Sequence, residues 1–317
     1  MEFLPFENLV PVMDEMSQKG QEFSFIIDYK GENAAIIETT AFAEIGIQTV
    51  KNHQDDANYF LRKKVVSFET YQEKFNQVQV GLRAGKSFLL NLTQETEIET
   101  NLGLEDIYKR AQAKYKYFLK DHFVVFSPET FIQLIDNVIY SFPMKGTRKD
   151  DNELAKSQLL TNPKENAEHA TIVDLIRNDL SKVAFPIQVE EYKYVEKVQT
   201  HAGDLWQMSS KISGKILPQF TNKIGSILRE LLPAGSITGA PKQSTCDLIE
   251  SIEGYERGFY TGIMGTFDGK NLDSAVMIRF IEQRDNQLYF KSGGGITIFS
   301  DAKSEYQELI DKIYLPF

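Results

Sequence analysis

The chain has 317 residues, 42% hydrophobic and 25% charged, which is ordinary for a globular protein and enough for a large core. Its 45 acidic and 35 basic residues give a net charge of −10, and because phosphate contacts need clustered lysine and arginine, we expect no nucleic-acid partner. No apolar stretch reaches the roughly 20 residues of a membrane helix, and no secretory signal is visible, so we expect no membrane association. The single cysteine, Cys246, cannot form an internal disulfide, which indicates the cytoplasm.

The first half of the chain mixes strand and helix patterns. Runs rich in β-branched and aromatic residues predict strands at 23–29, 87–93 and 123–126. Apolar positions at helical spacing predict helices over 71–84 and 104–119. The polar stretch 149–168 is interpreted as a loop that enters a helix.

The C-terminal third predicts a series of antiparallel strands. Strands are expected at 259–267, 272–281 and 288–292, joined by turns at 268–271 and 284–287, with a final helix over 301–314. Such a meander argues against a parallel Rossmann-type sheet. The sequence therefore predicts an α+β protein with large antiparallel sheets.

Two pairs of glutamates occur at helical spacing. Glu165 and Glu168 begin one predicted helix, and Glu305 and Glu308 lie on the last one, with Lys312 a turn further on. Residues three apart share a helix face, and Mg²⁺ binds through one or two carboxylates. By spacing alone, two solvated helix faces with a Glu308–Lys312 ion pair are the favoured interpretation, and a metal site needs further support. The apolar face of the first helix is predicted to be Ile172, Val173, Ile176 and Leu180.

Two glycine-rich segments raise the question of anion binding. The segment 235–242 is not a Walker A loop, because Ala240 and Pro241 separate its second glycine from the lysine. Gly293, Gly294 and Gly295 lie between a predicted strand and the last helix, where backbone amides could approach an anion closely. A flexible turn is the other interpretation.

Two cations are candidates for chemistry. Arg279 follows an apolar strand and is either a buried ion-pair partner or a receptor for a substrate carboxylate. Lys145 lies between Pro143 and Gly146, where an exposed charge would be the plain interpretation. A lysine attacks only when it is desolvated or held beside a base, and Glu129 is the candidate base. No Gly-x-Ser-x-Gly elbow supports a serine hydrolase.

Six segments, taken in this order, resemble the chorismate-utilising enzymes, the family that includes the anthranilate, aminodeoxychorismate, isochorismate and salicylate synthases. They are SPETF (127–131), PMKGTR (143–148), EHATIVDLIRNDL (168–180), PAGSITGAPK (233–242), RGFYTGIMGTFDG (257–269) and GGGITIFSDAKSEYQELIDK (293–312). The resemblance implies a single domain of two large antiparallel sheets flanked by helices. We therefore expect one chorismate-binding domain over 1–317, with a shortened N-terminal portion at 1–86 and the motif-bearing core at 87–317.

The resemblance also implies a site. Glu168 and Glu308 resemble the Mg²⁺ ligands, with Glu165 and Glu305 assisting directly or through water. The residues that correspond to substrate-binding positions are Arg279 and Tyr260 for the enolpyruvyl carboxylate, the amides of Gly262 and Gly293, and Lys312, Thr147 and Ser236.

Three positions distinguish the reactions of this family. Isochorismate and salicylate synthases activate water with a lysine where this chain has Leu89, so water addition is disfavoured. Gln207 replaces the histidine of anthranilate synthases, and glutamine cannot act as a general acid. Lys145 stands where anthranilate synthases carry a small residue and resembles aminodeoxychorismate synthase component I.

The implied reaction is the amination of chorismate for para-aminobenzoate and folate biosynthesis. Lys145 would attack the ring with loss of the 4-hydroxyl, assisted by Glu129, and ammonia would displace the lysine to give 4-amino-4-deoxychorismate. Ammonia is expected from a separate glutamine amidotransferase subunit. Anthranilate synthase component I is the alternative activity, and an inactive family member that serves as a binding subunit is a further alternative.

Overall fold

The computed structural model describes residues 1–37, 59–148, 152–200 and 203–317. Its helices are α1 (Phe6–Gln18), α2 (Phe68–Arg83), α3 (Leu104–Arg110), α4 (Glu153–Thr161), α5 (Pro163–Leu180), α6 (Ile224–Leu231), α7 (Lys242–Glu253) and α8 (Ala302–Asp311). Its strands are β1 (Phe23–Ile27), β2 (Ala34–Ile37), β3 (Leu61–Lys64), β4 (Leu89–Thr100), β5 (Tyr115–Leu119), β6 (Phe123–Ser127), β7 (Thr130–Ile135), β8 (Val138–Ser141), β9 (Met144–Arg148), β10 (Ala184–Thr200), β11 (Gly203–Ile216), β12 (Gly239–Ala240), β13 (Ile263–Phe267), β14 (Leu272–Val276), β15 (Phe280–Arg284) and β16 (Gln287–Ile296). Short 3₁₀ turns lie at Pro218–Phe220 and Gly235–Ile237.

The strands form two large antiparallel sheets, as predicted. The nine-stranded sheet has the order β10-β11-β8-β7-β14-β13-β1-β2, with β9 also paired to β11. The seven-stranded sheet has the order β12-β4-β16-β15-β6-β5, with β3 also paired to β4. The protein is a single α+β domain of two antiparallel sheets flanked by helices.

Each sheet forms a compact unit with its own helices. The first unit contains the nine-stranded sheet and the described residues of 1–39, 130–236 and 262–275. The second unit contains the seven-stranded sheet and the described residues of 40–129, 237–261 and 276–317. Each unit is therefore assembled from three separate stretches of chain. None of the described helices is long and apolar enough to cross a membrane.

Helix α2 shows how the sequence builds the core of the second unit. Its N-terminus is capped by Ser67, whose side chain accepts a hydrogen bond from the amide of Thr70 at 3.2 Å. Its buried residues recur at three- and four-residue spacing, which places them on one face. They pack with apolar residues of β4, α7, β16 and α8, and each buried side chain of this size stabilises the fold by ~1.5–3 kcal/mol. The α2 residues in this core are Tyr71, Phe75, Val78 and Leu82.

Several local predictions are confirmed. The strands expected at 23–29 and 123–126 correspond to β1 and β6, and the helix expected at 71–84 corresponds to α2. Asp268 closes the turn at 268–271 by accepting from the amides of Lys270 (2.8 Å) and Asn271 (2.6 Å). The predicted apolar face of α5 is buried at Ile172, Val173, Ile176 and Leu180.

The helix predicted over 104–119 is wrong in its second half. Helix α3 ends at Arg110, and Tyr115–Leu119 forms β5, paired with β6. Tyr115 and Tyr117 are buried on the same face of this strand. Their spacing suits a strand, and aromatic residues favour a half-buried pleated surface.

The strand predicted at 272–281 is two strands in different sheets. Strand β14 belongs to the nine-stranded sheet, whereas β15 belongs to the seven-stranded sheet. The break includes Arg279, whose φ of +55° is incompatible with a continuous strand. The strand predicted at 259–267 is likewise shorter, because regular pairing begins only at Ile263.

Two segments contain more regular structure than the sequence indicated. Gly293, Gly294 and Gly295 continue β16 and pair with Thr93, Leu92 and Asn91 of β4. The stretch 149–168 contains α4 and the start of α5, and α4 begins where the Asn152 side chain accepts from the amide of Ala155 at 2.8 Å. Residues 149–151 lie outside the described part.

Candidate active site

The reactive-lysine candidate lies on strand β9 in the first unit. Lys145 follows Met144, which pairs with Ser209 of β11. The Nζ atom of Lys145 is 3.8 Å from Oε2 of Glu168, a buried carboxylate on α5. The Lys145 side chain is 23% exposed, so solvent can reach it only in part. The predicted lysine and a predicted metal ligand are therefore neighbours.

Gly146 brings the other glutamate of this helix to the same strand. Its φ is +81°, which favours glycine. A Cβ atom at this position would lie 2.8 Å from Oε2 of Glu165 and 2.9 Å from Cδ1 of Leu159. The glycine therefore allows Glu165 to approach the backbone beside Lys145, and both glutamates of α5 lie close to β9.

His169 links α5 to β11 in the first unit. It is fully buried, and its Nε2 atom is 2.7 Å from Oγ of Ser210 on β11. The same Oγ accepts the amide of Lys193 at 3.0 Å. Burial, reinforced by the cations of Lys193 and Lys145, lowers the pKa of His169 to about 4, so the ring is neutral near pH 7. Nothing in the sequence indicated this contact between His169 and Ser210.

Three further predicted residues, Tyr260, Arg279 and Glu129, lie in the second unit. Tyr260 is 3% exposed, and burial raises the pKa of its hydroxyl, so the hydroxyl stays protonated and can donate. The cations of Arg257 and Arg279 oppose that rise, whereas the carboxylates of Glu253 and Glu129 add to it. The Nε atom of Arg279 donates to Oη of Tyr314 at 3.3 Å.

The last helix directs three charged groups toward β16. A Cβ atom at Gly294 would lie 3.5 Å from Oε2 of Glu305, 3.8 Å from Oε1 of Glu308 and 3.7 Å from Nζ of Lys312. Lys312 Nζ donates to the carbonyl of Gly293 at 2.7 Å and pairs with Glu308 at 2.7 Å. Burial, together with both carboxylates, raises the pKa of Tyr71. The predicted Glu308–Lys312 ion pair is confirmed.

Gly262, Ser236 and Thr147 are the remaining predicted residues. A Cβ atom at Gly262 would overlap the carbonyl oxygen of Ile27, so only glycine fits this close approach. Ser236 is half-buried in the 3₁₀ turn Gly235–Ile237. Thr147 lies on β9 opposite Gln207, and its side chain is not part of the described structure.

The donor chemistry of the glutamates is compatible with Mg²⁺. Each unit supplies one pair, Glu165 with Glu168 and Glu305 with Glu308, and all the donors are hard oxygen atoms. Within the described ranges, no three His, Cys, Asp or Glu side chains cluster closely enough to hold a metal by themselves. Mg²⁺ usually keeps several waters and takes one or two carboxylates plus substrate oxygens, so the residues present fit it.

The predicted site is thus divided between the units. Lys145 lies in the first unit, whereas its expected base, Glu129, lies in the second, and their cooperation stays a prediction. Two of the three residues that distinguish the family's reactions lie apart from Lys145 in the sequence, and the structure describes both. Leu89 is 2% exposed and pairs with Ala240, and Gln207 is half-buried on β11.

Comparisons with known proteins identify relatives of the whole chain. The chain is 48% identical over 303 residues to an "uncharacterized PabA-like protein" of Haemophilus influenzae, covering 93% of this chain and 92% of the relative. It is 35% identical over 259 residues to aminodeoxychorismate synthase component 1 of Salmonella typhimurium, covering 77% of this chain but 56% of that longer protein. The crystal structure of anthranilate synthase component I from Streptococcus pneumoniae superposes with a TM-score of 0.68 at 28% identity, covering 80% of this chain and 58% of that one.

The family itself is determined by a match over nearly the full length. The sequence profile of the chorismate binding enzymes matches residues 15–316. The six motifs quoted above and all the predicted site residues lie within this match. The chain therefore belongs to the chorismate binding enzyme family.

Proposed function

We propose that this protein is an aminodeoxychorismate synthase component I, which aminates chorismate with retention of the enolpyruvyl group. The observation that carries the proposal is Lys145 itself, held on β9 with its Nζ atom 3.8 Å from Glu168. The 35% identity to a relative of this name supports the same reaction. An amine at this position offers a nucleophile, which a small side chain could not supply.

Recognition of chorismate is proposed to depend on cations and donors of the second unit. Arg279 presents a planar fork that suits a carboxylate, and the buried hydroxyl of Tyr260 is a donor to the same group. Lys312 supplies a second cation beside the glycines of β16. Gly262, Gly293, Thr147 and Ser236 complete the proposed substrate-binding set.

The proposed chemistry proceeds through a covalent lysine intermediate. The neutral amine of Lys145 forms a C–N bond to the ring, and the C–O bond to the 4-hydroxyl breaks. Glu129 is proposed to take the proton that the Lys145 nitrogen releases and to pass it to that hydroxyl, so that the hydroxyl leaves as water. Ammonia then forms the new C–N bond at the ring, and Lys145 departs as the free amine to give 4-amino-4-deoxychorismate.

The glutamate pairs are proposed to hold Mg²⁺, with Glu168 and Glu308 as ligands and Glu165 and Glu305 assisting directly or through water. When bound, the ion orients the ring carboxylate of chorismate and stabilises developing negative charge. The ion also offsets the repulsion among nearby carboxylates. Ammonia is proposed to come from a glutamine amidotransferase partner, and the product to serve para-aminobenzoate and folate biosynthesis.

The nucleophilic lysine is tested by mass spectrometry of the intact protein. Incubation with chorismate and Mg²⁺, without ammonia, is expected to add the mass of chorismate less one water, and ammonium chloride is expected to discharge this adduct. Lys145→Ala should form no adduct and no product while still binding chorismate. Lys182→Ala is a matched control, because Lys182 also pairs with a carboxylate, Asp179 at 3.3 Å, in the same unit. Undiminished product formation by Lys145→Ala would exclude the proposed mechanism.

A further inference from the structure

The segment that carries Tyr260 has no regular secondary structure. It connects α7 to β13, and we call residues 254–261 the tyrosine loop. Three of its residues have positive φ angles, namely Gly254 (71°), Gly258 (58°) and Thr261 (64°). Because such a path is not fixed by helix or strand pairing, other contacts must determine where the Tyr260 hydroxyl lies.

A buried lysine contacts the backbone of this loop. Lys291, on β16, is 1% exposed, and its Nζ atom donates to the carbonyls of Arg257 at 2.9 Å and Glu256 at 3.3 Å. The amide of Tyr260 donates to the same Arg257 carbonyl at 3.2 Å. Lys291 therefore binds the carbonyl oxygen that closes the turn ending at Tyr260.

Lys291 also forms an ion pair with Glu282. Its Nζ atom is 2.9 Å from Oε2 of Glu282, whose side chain is 23% exposed. Taking an ammonium group out of water carries a large desolvation penalty. One ion pair with a partly exposed carboxylate does not make the buried lysine more stabilising than an apolar side chain of similar size. Its two bonds to loop carbonyls are what an apolar side chain could not make.

A second buried cation holds the same loop from within. Arg257 is 3% exposed and donates to Glu253 from Nε (2.8 Å) and Nη2 (2.6 Å). It also donates to the carbonyls of Asn91 (2.7 Å) and Ile237 (3.0 Å) and to Oγ1 of Thr261 (3.4 Å). The loop is thereby tied to α7, to β4 and to the segment before β12.

We propose that Lys291 and Arg257 are positioning residues that fix the tyrosine loop and thereby place the Tyr260 hydroxyl for chorismate. This inference rests on the proposed role of Tyr260 in substrate binding. Neither cation is needed in contact with the substrate. Both act through the backbone and side chains of the loop.

Lys291→Met tests the inference, because methionine matches the length of the lysine stem without its ammonium group and donates no hydrogen bond. Glu282 keeps Arg284 as a partner at 3.2 Å, so the substitution leaves no isolated carboxylate. Arg284→Met is the matched control. It also removes a cation from Glu282, but the ion pairs of Arg284, with Glu282 and with Glu95 (2.6 Å), lie outside the loop.

The first readout is amide hydrogen exchange, which does not require turnover. In Lys291→Met we expect exchange of the peptide covering 254–262 to accelerate about tenfold, with peptides of α2 unchanged as an internal reference. Arg257→Lys, which keeps the charge but loses the planar fork, should show the same local acceleration. Arg284→Met should match the wild type.

The second readout is kinetic and includes Tyr260→Phe. Lys291→Met should raise KM for chorismate about tenfold and change kcat little, as expected for loss of a binding contact. If Lys291 acts through Tyr260, adding Lys291→Met to Tyr260→Phe should have little further effect on KM, whereas independent roles would be additive.

The two proposals fail in different ways. A wild-type protein that does not turn over chorismate contradicts the proposed function, while hydrogen exchange still reports whether the cations fix the loop. Equal exchange and equal KM in Lys291→Met and Arg284→Met would overturn the positioning role. Acceleration across all peptides would overturn it too, because it would assign the two cations to general stability.

Discussion

Glu253→Gln removes one charge from an ion pair that is almost fully enclosed. The side chains of Glu253 and Arg257 are each 2% exposed and approach to 2.6 Å. The two Glu253 oxygens accept four hydrogen bonds, two from Arg257 and two from the amide and hydroxyl of Thr93, both at 2.8 Å. Glutamine has the same shape but turns one acceptor into a donor and removes the negative charge beside the guanidinium.

Burial of the pair determines how far Glu253→Gln should lower the free energy of unfolding. Removing one partner of a buried ion pair costs about 3–5 kcal/mol, and the retained amide oxygen places Glu253→Gln near the lower end, at about 3 kcal/mol. For a chain of 317 residues the unfolding entropy is roughly 0.7 kcal/mol/K, so the expected loss in Tm is about 4–5 °C.

A surface pair with the same spacing is the control. Glu105 and Lys109 are also four residues apart and 2.7 Å from each other, but their side chains are 61% and 67% exposed. Glu105→Gln should therefore leave the urea midpoint and Tm unchanged within error, since exposed pairs are well solvated. Thermal and urea unfolding followed by circular dichroism measure both variants. Equal destabilisation by the two substitutions would refute the assignment of the cost to burial.

Three further predictions concern single side chains. Gly146→Ala places a Cβ atom 2.8 Å from Oε2 of Glu165 at a φ of +81°. We therefore expect the free energy of unfolding in urea to fall by about 1–3 kcal/mol. A change smaller than the experimental error would contradict the close approach. Lys312→Met removes the 2.7 Å hydrogen bond to the Gly293 carbonyl and a cation of the proposed site. KM for chorismate should therefore rise about tenfold, with folding intact. An unchanged KM would exclude Lys312 from that site. Burial raises the pKa of Tyr117 from 10.0 to about 12, so stability present below pH 10 is lost as pH rises toward 12. Over that window the free energy of unfolding of the wild type should fall by roughly 2 kcal/mol more than that of Tyr117→Phe, after allowance for solvent screening. An equal change with pH in the two proteins, measured by urea unfolding, would contradict this prediction.

The sequence was sufficient for features set by local pattern. Alternation and turn residues predicted antiparallel sheets, and the spacing of Ile172, Val173, Ile176 and Leu180 predicted the buried face of α5 correctly. It was insufficient at 104–119, because Tyr115 and Tyr117 fit either a helix or a strand until β6 is available for pairing. It also failed at Arg279, since a positive φ at a residue other than glycine leaves no mark in the sequence.

For the site, residue types were predictable and long-range partners were not. Motif resemblance indicated Lys145 and Glu168, which the structure brings to 3.8 Å. The bonds between His169 and Ser210 and between Glu253 and Thr93 join residues 41 and 160 positions apart, beyond the reach of any periodic pattern. Lys291 follows Leu288, Tyr289 and Phe290 in β16, and this pattern does not indicate its partners.

Product identification tests the proposed reaction most directly. The protein is incubated with chorismate, Mg²⁺ and ammonium chloride, and the products are separated and identified by mass and absorbance, with Lys145→Ala in parallel. We expect 4-amino-4-deoxychorismate with the enolpyruvyl group retained and no pyruvate, and no product from the variant. Formation of anthranilate and pyruvate, or no turnover by the wild type, would contradict the amination of chorismate through Lys145.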